Sequence, residues 1–414
     1  MAGLQPVRGT QDLLPDTHRR HRAVVETARA IAERYGFQEI ATPIFEFTEV
    51  FARPIGETSD IVSKEMYTFA DRGGEEITLR PEYTAGIVRA VLSNGLTQSL
   101  PLKFFAAGPM FRYERPQKGR FRQFHQIDVE LIGAAQPAAD VELIALAADI
   151  LDELGVLKDT VLELNTLGDT TSRAGYRAAL VEYYGGKRAG LSEDSLRRLE
   201  TNPLRILDSK DENDQRINAE APSFAAYLTA EAKHFFDAVC AGLATLRISY
   251  RLNPRLVRGL DYYCHTAFEF VTTSLGAQGT VLGGGRYDGL MGVMGGPETP
   301  GVGWAAGIER LALLIDEPSP PPRPIALVPL GAQAEMVALQ VAQSLRRAEF
   351  HVELGYSGNL SRRMRHANKI KACAAVIIGD DEIAREAVAL RDLDSGEQIE
   401  VPLRELTERL ARYR

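Results

Sequence analysis

Arg112-Tyr113-Glu114-Arg115-Pro116-Gln117-Lys118-Gly119-Arg120-Phe121-Arg122-Gln123-Phe124 runs directly into His125-Gln126-Ile127-Asp128-Val129-Glu130-Leu131-Ile132. The first part holds five basic residues and one acid, a local charge of +4, with Pro116 and Gly119 inside it. Strand-forming residues stand on both sides, at 103–107 and 124–132, so the segment reads as a hairpin with a long basic loop. Strand side chains alternate between two faces, which puts Ile127, Val129 and Leu131 on one and Phe124, Gln126, Asp128, Glu130 and Ile132 on the other. A basic loop alone is more often a solvated surface. An amide and two carboxylates beside an aromatic are different: in a central strand they describe the floor of a polar pocket. Arg112 leaves the preceding strand close to that floor.

Around this hairpin, the first 316 residues show short strands at 37–41, 103–107 and 124–132 without regular helix alternation. That pattern predicts an antiparallel sheet with helices attached. Asp16 is expected to cap a first helix running to Tyr35, stopped by Gly36. Residues 169–246 read as mostly helical and polar, and strand patterning resumes at Arg247, so a helical insertion is expected there. Three later stretches carry candidate chemistry. Leu256-Val257-Arg258-Gly259-Leu260-Asp261-Tyr262-Tyr263 can build a planar hydrogen-bonding site, or simply a turn. Gly283-Gly284-Gly285-Arg286-Tyr287-Asp288-Gly289 would let backbone approach a ligand and project an Arg and a Tyr, or form a tight turn. Gly301-Val302-Gly303-Trp304-Ala305-Ala306 fits a dinucleotide fingerprint, but Gly296-Pro297-Glu298-Thr299-Pro300 precedes it where a strand should stand. A nicotinamide enzyme is therefore excluded, and without a P-loop so is a P-loop nucleotidase. What remains is a glycine-led strand entering a helix that projects Arg310.

Glu317-Pro318-Ser319-Pro320-Pro321-Pro322-Arg323-Pro324 has five prolines in eight residues and predicts a semi-rigid linker. Beyond it, strands at 325–329, 351–354 and 374–378 alternate with helices at 332–347 and 360–371. Parallel β-α-β units follow from that order. A hairpin near Asp394-Ser395-Gly396 and a helix over 403–411 complete a small α/β domain. On the 360–371 helix, Arg362, Arg365 and Lys369 recur at i, i+3 and i+7 as one basic face.

The whole chain has 414 residues, 48 basic against 56 acidic, and a net charge of −8, which argues against binding nucleic acid through overall charge. With +4 in 112–124 and +5 in 355–379, the rest carries −17: an acidic body with two confined basic patches. At 45% hydrophobic and 25% charged the composition is that of a globular protein. Cys240, Cys264 and Cys373 have neither disulfide nor zinc spacing, so no metal site is expected. No apolar run is long enough to span a membrane, and a cytoplasmic location is expected.

Taken together, these stretches resemble one family. Phe111-Arg112-Tyr113-Glu114-Arg115 and Gly307-Ile308-Glu309-Arg310 are similar to motifs 2 and 3 of class II aminoacyl-tRNA synthetases, and 36–51, with Pro43, to motif 1, the dimer interface of that class. Residues 256–263 and 283–289 resemble the two signature stretches of the histidyl-tRNA synthetase family. The resemblance implies an α+β fold: an antiparallel class II core in two parts (1–168 and 247–316), a helical insertion (169–246), a proline-rich linker (317–324) and an anticodon-binding α/β domain (325–414). It implies a homodimeric enzyme that joins L-histidine to tRNA-His with ATP, magnesium arriving with the nucleotide.

By the same resemblance Arg112, Arg258 and Arg310 are catalytic, and Arg112, Glu114, Phe124 and Arg310 bind ATP. Glu82, Thr84 and Gln126 meet the α-amino group of histidine, Arg258 its carboxylate, and Glu130 and Tyr263 its ring, with Tyr262 and Tyr287 lining the pocket. Arg115, Gln117, Lys118, Arg120 and Arg122 face the acceptor end of tRNA, and Arg362, Arg365 and Lys369 the anticodon region. Two positions depart from the family pattern: Tyr83 and Asp128 stand where glycine is common. Asp128 adds a carboxylate to the pocket face unless a bulge turns it away. The competing reading is a synthetase-like regulatory subunit of ATP phosphoribosyltransferase, a family that generally lacks the C-terminal domain and the motif arginines.

Overall fold

The computed structural model describes residues 4–56, 61–117, 119–207, 209–257, 260, 262–276 and 279–414. The chain forms two compact units, Met1–Pro318 and Ser319–Arg414.

The first unit opens with α1 (Pro15–Arg34) and the edge strand β1 (Gln38–Glu39). Asp16 does not cap α1. Proline at the first helical position sets the start, Leu14 is the cap residue, and Asp16 lies in the first turn, where a negative charge suits the helix dipole. Gly36, at φ +81°, ends the helix as expected. A small sheet follows from β2 (Phe45–Phe47), β3 (Tyr67–Ala70) and β4 (Glu76–Leu79), with α2 (Glu49–Ile55) between its first two strands and α3 (Thr84–Ser93) after it.

The hairpin is formed by β5 (Leu102–Phe111) and β6 (Gln123–Ile132), and α4 (Pro137–Glu153) and β7 (Val161–Thr166) come next. Helices α5 (Thr170–Gly185), α6 (Glu193–Thr201), α7 (Glu212–Asn218) and α8 (Ala230–Thr245) lead to β8 (Arg251–Leu252), β9 (Cys264–Val271) and β10 (Thr280–Arg286). The short α9 (Leu290–Val293), β11 (Gly301–Gly307) and α10 (Ile308–Leu314) end the unit. The large sheet has the order β1-β5-β6-β11-β10-β9-β7-β8. All its pairings are antiparallel except β1 with β5 and β7 with β8, the two edges.

Alternation on β6 works as the sequence predicts. Ile127, Val129 and Leu131 join Ala28 and Ile31 of α1 and Leu143, Leu146 and Ile150 of α4 in the main core. Trp304 is buried in the same layer, its indole N–H donating to the Leu143 carbonyl at 3.0 Å. On the opposite face, Phe104, Ala106 and Met110 pack with Tyr83, Ile87 and Val91, leaving Gln126 and Asp128 between small neighbours and Glu130 between Phe104 and Gly303.

Each helix of 170–245 starts on a side-chain cap, from Asp169, Ser192, Asp211 and Thr229 in turn. Helices α5 to α7 close around Tyr176, Leu180, Tyr184, Leu199 and Ile206. By contrast, α8 buries Val239 and Leu243 in the main core against α4.

The second unit is a sheet of β12 (Ile325–Pro329), β13 (Val352–Leu354), β14 (Ala374–Ile378), β15 (Ala387–Asp392) and β16 (Gln398–Pro402), in the order β13-β12-β14-β15-β16. The first three are parallel and the last two form an antiparallel hairpin. Helices α11 (Ala332–Arg347) and α12 (Leu360–Lys369) are the crossovers, and α13 (Asp380–Ala384) precedes β15. The expected helix over 403–411 is broken into a 3-10 turn, a short α14 (Leu406–Arg409) and a further 3-10 turn.

Candidate active site

A cleft of about 400 Å3 opens over β6, β10 and β11, roofed by the hairpin loop and the segment entering α3. One end is basic. Arg112, Arg120 and Arg310 come from the end of β5, from the loop and from the first turn of α10, and all three line the cleft. Burial and the charges of Arg120 and Arg112 push Arg310 below the usual arginine range, so these cations already crowd one another. The Arg112 Nε–H donates to the Pro81 carbonyl at 2.9 Å, and its guanidinium lies 5.3 Å from the centre of the Phe124 ring. Glu114 is buried between Arg112 and Arg120 and forms an ion pair with Arg120. Arg120, expected from the resemblance to face the acceptor end of tRNA, lines the cleft. Arg122 stacks 3.8 Å from the Tyr113 ring centre, and Arg115 and Gln117 are exposed.

The other end is acidic and tyrosine-rich, with Glu82, Thr84, Gln126, Asp128, Tyr262 and Tyr263 lining it. Glu82 accepts a hydrogen bond from the Ala85 N–H at 2.9 Å, and burial raises its proton affinity. Glu130 and Tyr287 do not line the opening. They sit one layer beneath, with Glu130 accepting from the hydroxyls of Thr84 and Tyr287. Burial pushes Glu130 up to about 8, against which the Thr84 and Tyr287 hydrogen bonds work. A side chain at Gly303 would collide with the Glu130 carboxylate, so glycine at this position of β11 makes the room Glu130 occupies.

Gly283, Gly284 and Gly285 are not a turn. They lie inside β10, none has positive φ, and Gly284 admits the close approach of Trp304 on β11. Because they sit in a strand, Arg286 and Tyr287 leave in different directions. Tyr287 reaches Glu130, whereas Arg286 is fully buried and paired with Asp140 of α4 and Asp288. Arg286 is thus an internal brace and does not project into the cleft.

Arg258 and Lys118 lie outside the described residues. In the second unit, Arg362, Arg365 and Lys369 are exposed on α12, while Arg363 between them is buried on Glu335 and the carbonyls of Gly355 and Gly358.

Two supporting residues were assigned no role from the sequence, although Glu309 stands inside the motif 3 stretch. Glu309 accepts from the His125 backbone N–H at 2.9 Å and meets its Nδ1 at 2.8 Å, pinning α10 to β6 and so Arg310 to the hairpin. Arg80 donates to the Thr42 and Pro109 carbonyls at 2.8 and 2.9 Å and to the Tyr83 hydroxyl at 3.0 Å, fixing the segment that bears Glu82. No described helix is long and apolar enough to cross a membrane.

An antiparallel sheet with an arginine-bearing hairpin on one strand pair and a strand-to-helix arginine beside it is the core of a class II aminoacyl-tRNA synthetase. Residues 9–311 match the profile of histidyl-tRNA synthetase, and 325–413 that of an anticodon binding domain. The chain is 60% identical to the histidine–tRNA ligase of Rhodospirillum rubrum, with all of both chains covered. It is 58% identical to that of Gluconacetobacter diazotrophicus, with 99% of each covered. The apo S. aureus histidyl-tRNA synthetase crystal structure superposes with a TM-score of 0.82 at 34% identity, covering 98% of this chain and 99% of that one. The chain belongs to the histidyl-tRNA synthetase family.

Proposed function

We infer that this chain is a histidine–tRNA ligase. The observation that carries the reading is the lining of the cleft: Arg112, Arg120 and Arg310 crowd one another, and Glu82, Gln126, Asp128, Tyr262 and Tyr263 line the same cleft. A triphosphate fits the first group and a cationic amino acid with ring N–H donors the second. In the first step a histidine carboxylate oxygen attacks the α-phosphorus of ATP, the bond to the bridging oxygen breaks, and pyrophosphate leaves. A hydroxyl of the terminal tRNA adenosine then attacks the activated carbonyl, and AMP leaves.

Arg112, Arg120 and Arg310 supply fixed positive charge where phosphate oxygens gain negative charge. Phe124 offers a face for adenine. Arg258 is assigned to the α-phosphate and the histidine carboxylate by resemblance alone. Magnesium keeps most of its water and phosphate ligands, and Glu114 and Glu269, on the arginine side, are the oxygen donors that fit it. Bound there, it would neutralise the outer phosphates. Glu82, Thr84 and Gln126 are assigned by resemblance to the α-amino group, and Glu130 with Tyr263 to the ring. Hydrogen bonding to both ring nitrogens rejects apolar analogues, because they would leave buried polar groups unpaired.

For tRNA, Arg115, Gln117 and Arg122 of the hairpin loop and Arg362, Arg365 and Lys369 of α12 are the proposed contacts. A homodimer is supported by Phe45, Phe47 and Phe69, which expose large apolar side chains on the small sheet near the motif 1 segment. The free cysteines fit a cytoplasmic enzyme. The regulatory-subunit alternative is not favoured: the C-terminal unit is present, and Arg112 and Arg310 line the cleft. ATP–pyrophosphate exchange, run with each amino acid in turn, tests the reading. Exchange that depends on histidine is expected, and exchange with no amino acid, or with a different one, overturns it.

A further inference from the structure

The acidic end of the cleft contains one carboxyl to which the reading above gives no task. Asp128 is 2% exposed, and its Oδ1 has no hydrogen-bond partner among the described residues. The register of β6 against β5 and β11 runs unbroken past it, so no bulge turns it away from the pocket. Its cross-strand neighbours are Ala106 and Ala305, with Gly108, Gly303 and Gly307 at the adjoining positions. None of these can donate through a side chain. The small side chains leave Asp128 standing on the cleft floor between Gln126 and Glu130.

The charged and titratable groups around Asp128 are few. The segment before α3 brings Arg80, Glu82 and Tyr83; β6 itself brings Glu130; and Tyr287 follows β10. Arg80, the cation of this set, is already committed to two carbonyls and the Tyr83 hydroxyl. Glu82, Asp128 and Glu130 are thus buried close together, and like charges so placed cannot all ionise. Burial, followed by Glu130 and Glu82, drives Asp128 well above the usual carboxylate range, and its carboxyl is near enough to Glu130 for the two to share a proton. A carboxyl oxygen in this position is satisfied either by that proton or by a cation brought from outside.

We propose that Asp128 is a further substrate-contacting and specificity-determining residue, whose carboxylate accepts a hydrogen bond from a cationic N–H group of the bound amino acid. A proton held by the Asp128–Glu130 pair before binding then departs to solvent. The proposal rests on the histidine–tRNA ligase reading. It makes amino-acid binding compete with protons: affinity falls as pH drops, because acid refills the carboxyl pair. It also gives a task to a side chain where the family commonly has glycine.

The test is calorimetric titration of the full chain with L-histidine near pH 7, in two buffers of different ionisation enthalpy, for wild type, Asp128→Asn and Asp128→Gly. The first variant keeps the shape and an acceptor oxygen but cannot hold the shared proton. The second removes the side chain in a form the family pattern tolerates. Wild type is expected to release about one proton more per site than either variant. Both variants are expected to bind histidine about tenfold more weakly, with ATP affinity unchanged. Equal proton release and equal histidine affinity in all three proteins overturns the proposal while leaving the ligase reading intact. A wild type that binds no histidine, or binds another amino acid better, instead strikes the ligase reading itself.

Discussion

Asp214, among the helices of 170–245, and Asp128, on the cleft floor, are both buried aspartates in surroundings that differ in kind. The Asp214 carboxylate accepts from the Ser192 backbone N–H at 2.9 Å and from the hydroxyls of Ser192, Ser195 and Ser209 at 2.7, 2.6 and 2.6 Å. Burial alone would raise its proton affinity, but those serine donors outweigh it and hold Asp214 below the ordinary carboxylate range. Asp128 is pushed the other way by burial and by the charges of Glu130 and Glu82, and among the described residues no donor meets its Oδ1. Where a buried carboxylate holds architecture together, nearby sequence supplies the donors. On the cleft floor, Glu130 still accepts from Thr84 and Tyr287, but Asp128 has an oxygen left for a ligand, and the folded state carries the cost.

The two regions should therefore respond to pH with opposite signs. Asp214 is depressed, so its contribution to stability is present above the unfolded aspartate value and is lost as pH falls through the folded one. Glu130 is raised from 4.5 to about 8, so the folded state holds a proton that the unfolded chain releases across that window. Its burden on stability grows as pH rises from about 4.5 towards 8.

The largest effect expected is on the cleft side. Glu130→Ala should lower histidine-dependent pyrophosphate exchange by about 10^3-fold, because substrate ring donors and two enzyme hydroxyls lose a buried acceptor. Its melting midpoint should stay level or rise. Exchange within tenfold of wild type would break the contrast between cleft and framework. Next comes Asp214→Ala, expected to cost about 3 kcal/mol by stranding buried donors, with exchange per folded molecule unchanged. Urea titrations at pH 7 and below pH 4 check both parts: the variant's deficit should shrink in acid. The smallest effect is in the exposed third region. Arg362/Arg365/Lys369→Ala should weaken tRNA binding and flatten its log–log salt dependence by about 2–3 units, with histidine activation untouched. An unchanged slope removes those residues from the tRNA surface.

Much of the cleft was legible in one strand. Alternation on β6 separates Ile127, Val129 and Leu131 from Gln126, Asp128 and Glu130 without reference to anything distant. Helix α11 and strands β12 and β14 match their predicted limits because each has its own apolar period. Residues at element boundaries were less legible. Asp16 looked like a cap, but Pro15 already fixes the helix start, and nothing in the local pattern ranks the two. Arg286 and Tyr287 looked like a pair on one loop, yet a strand sends neighbours to opposite faces.

By itself the sequence determined which side chains share a face, where the basic patches lie, and that the C-terminal unit has its own core, since these depend on spacing along the chain. Only the tertiary structure decided that Arg120 turns inward to Glu114, that Glu309 ties α10 to β6, that Arg286 braces Asp140, and that the Asp128 Oδ1 meets no donor among the described residues. Each of those depends on what covers a face. A period of 2 or 3.6 residues specifies the face and leaves its partner to packing among segments far apart in the chain.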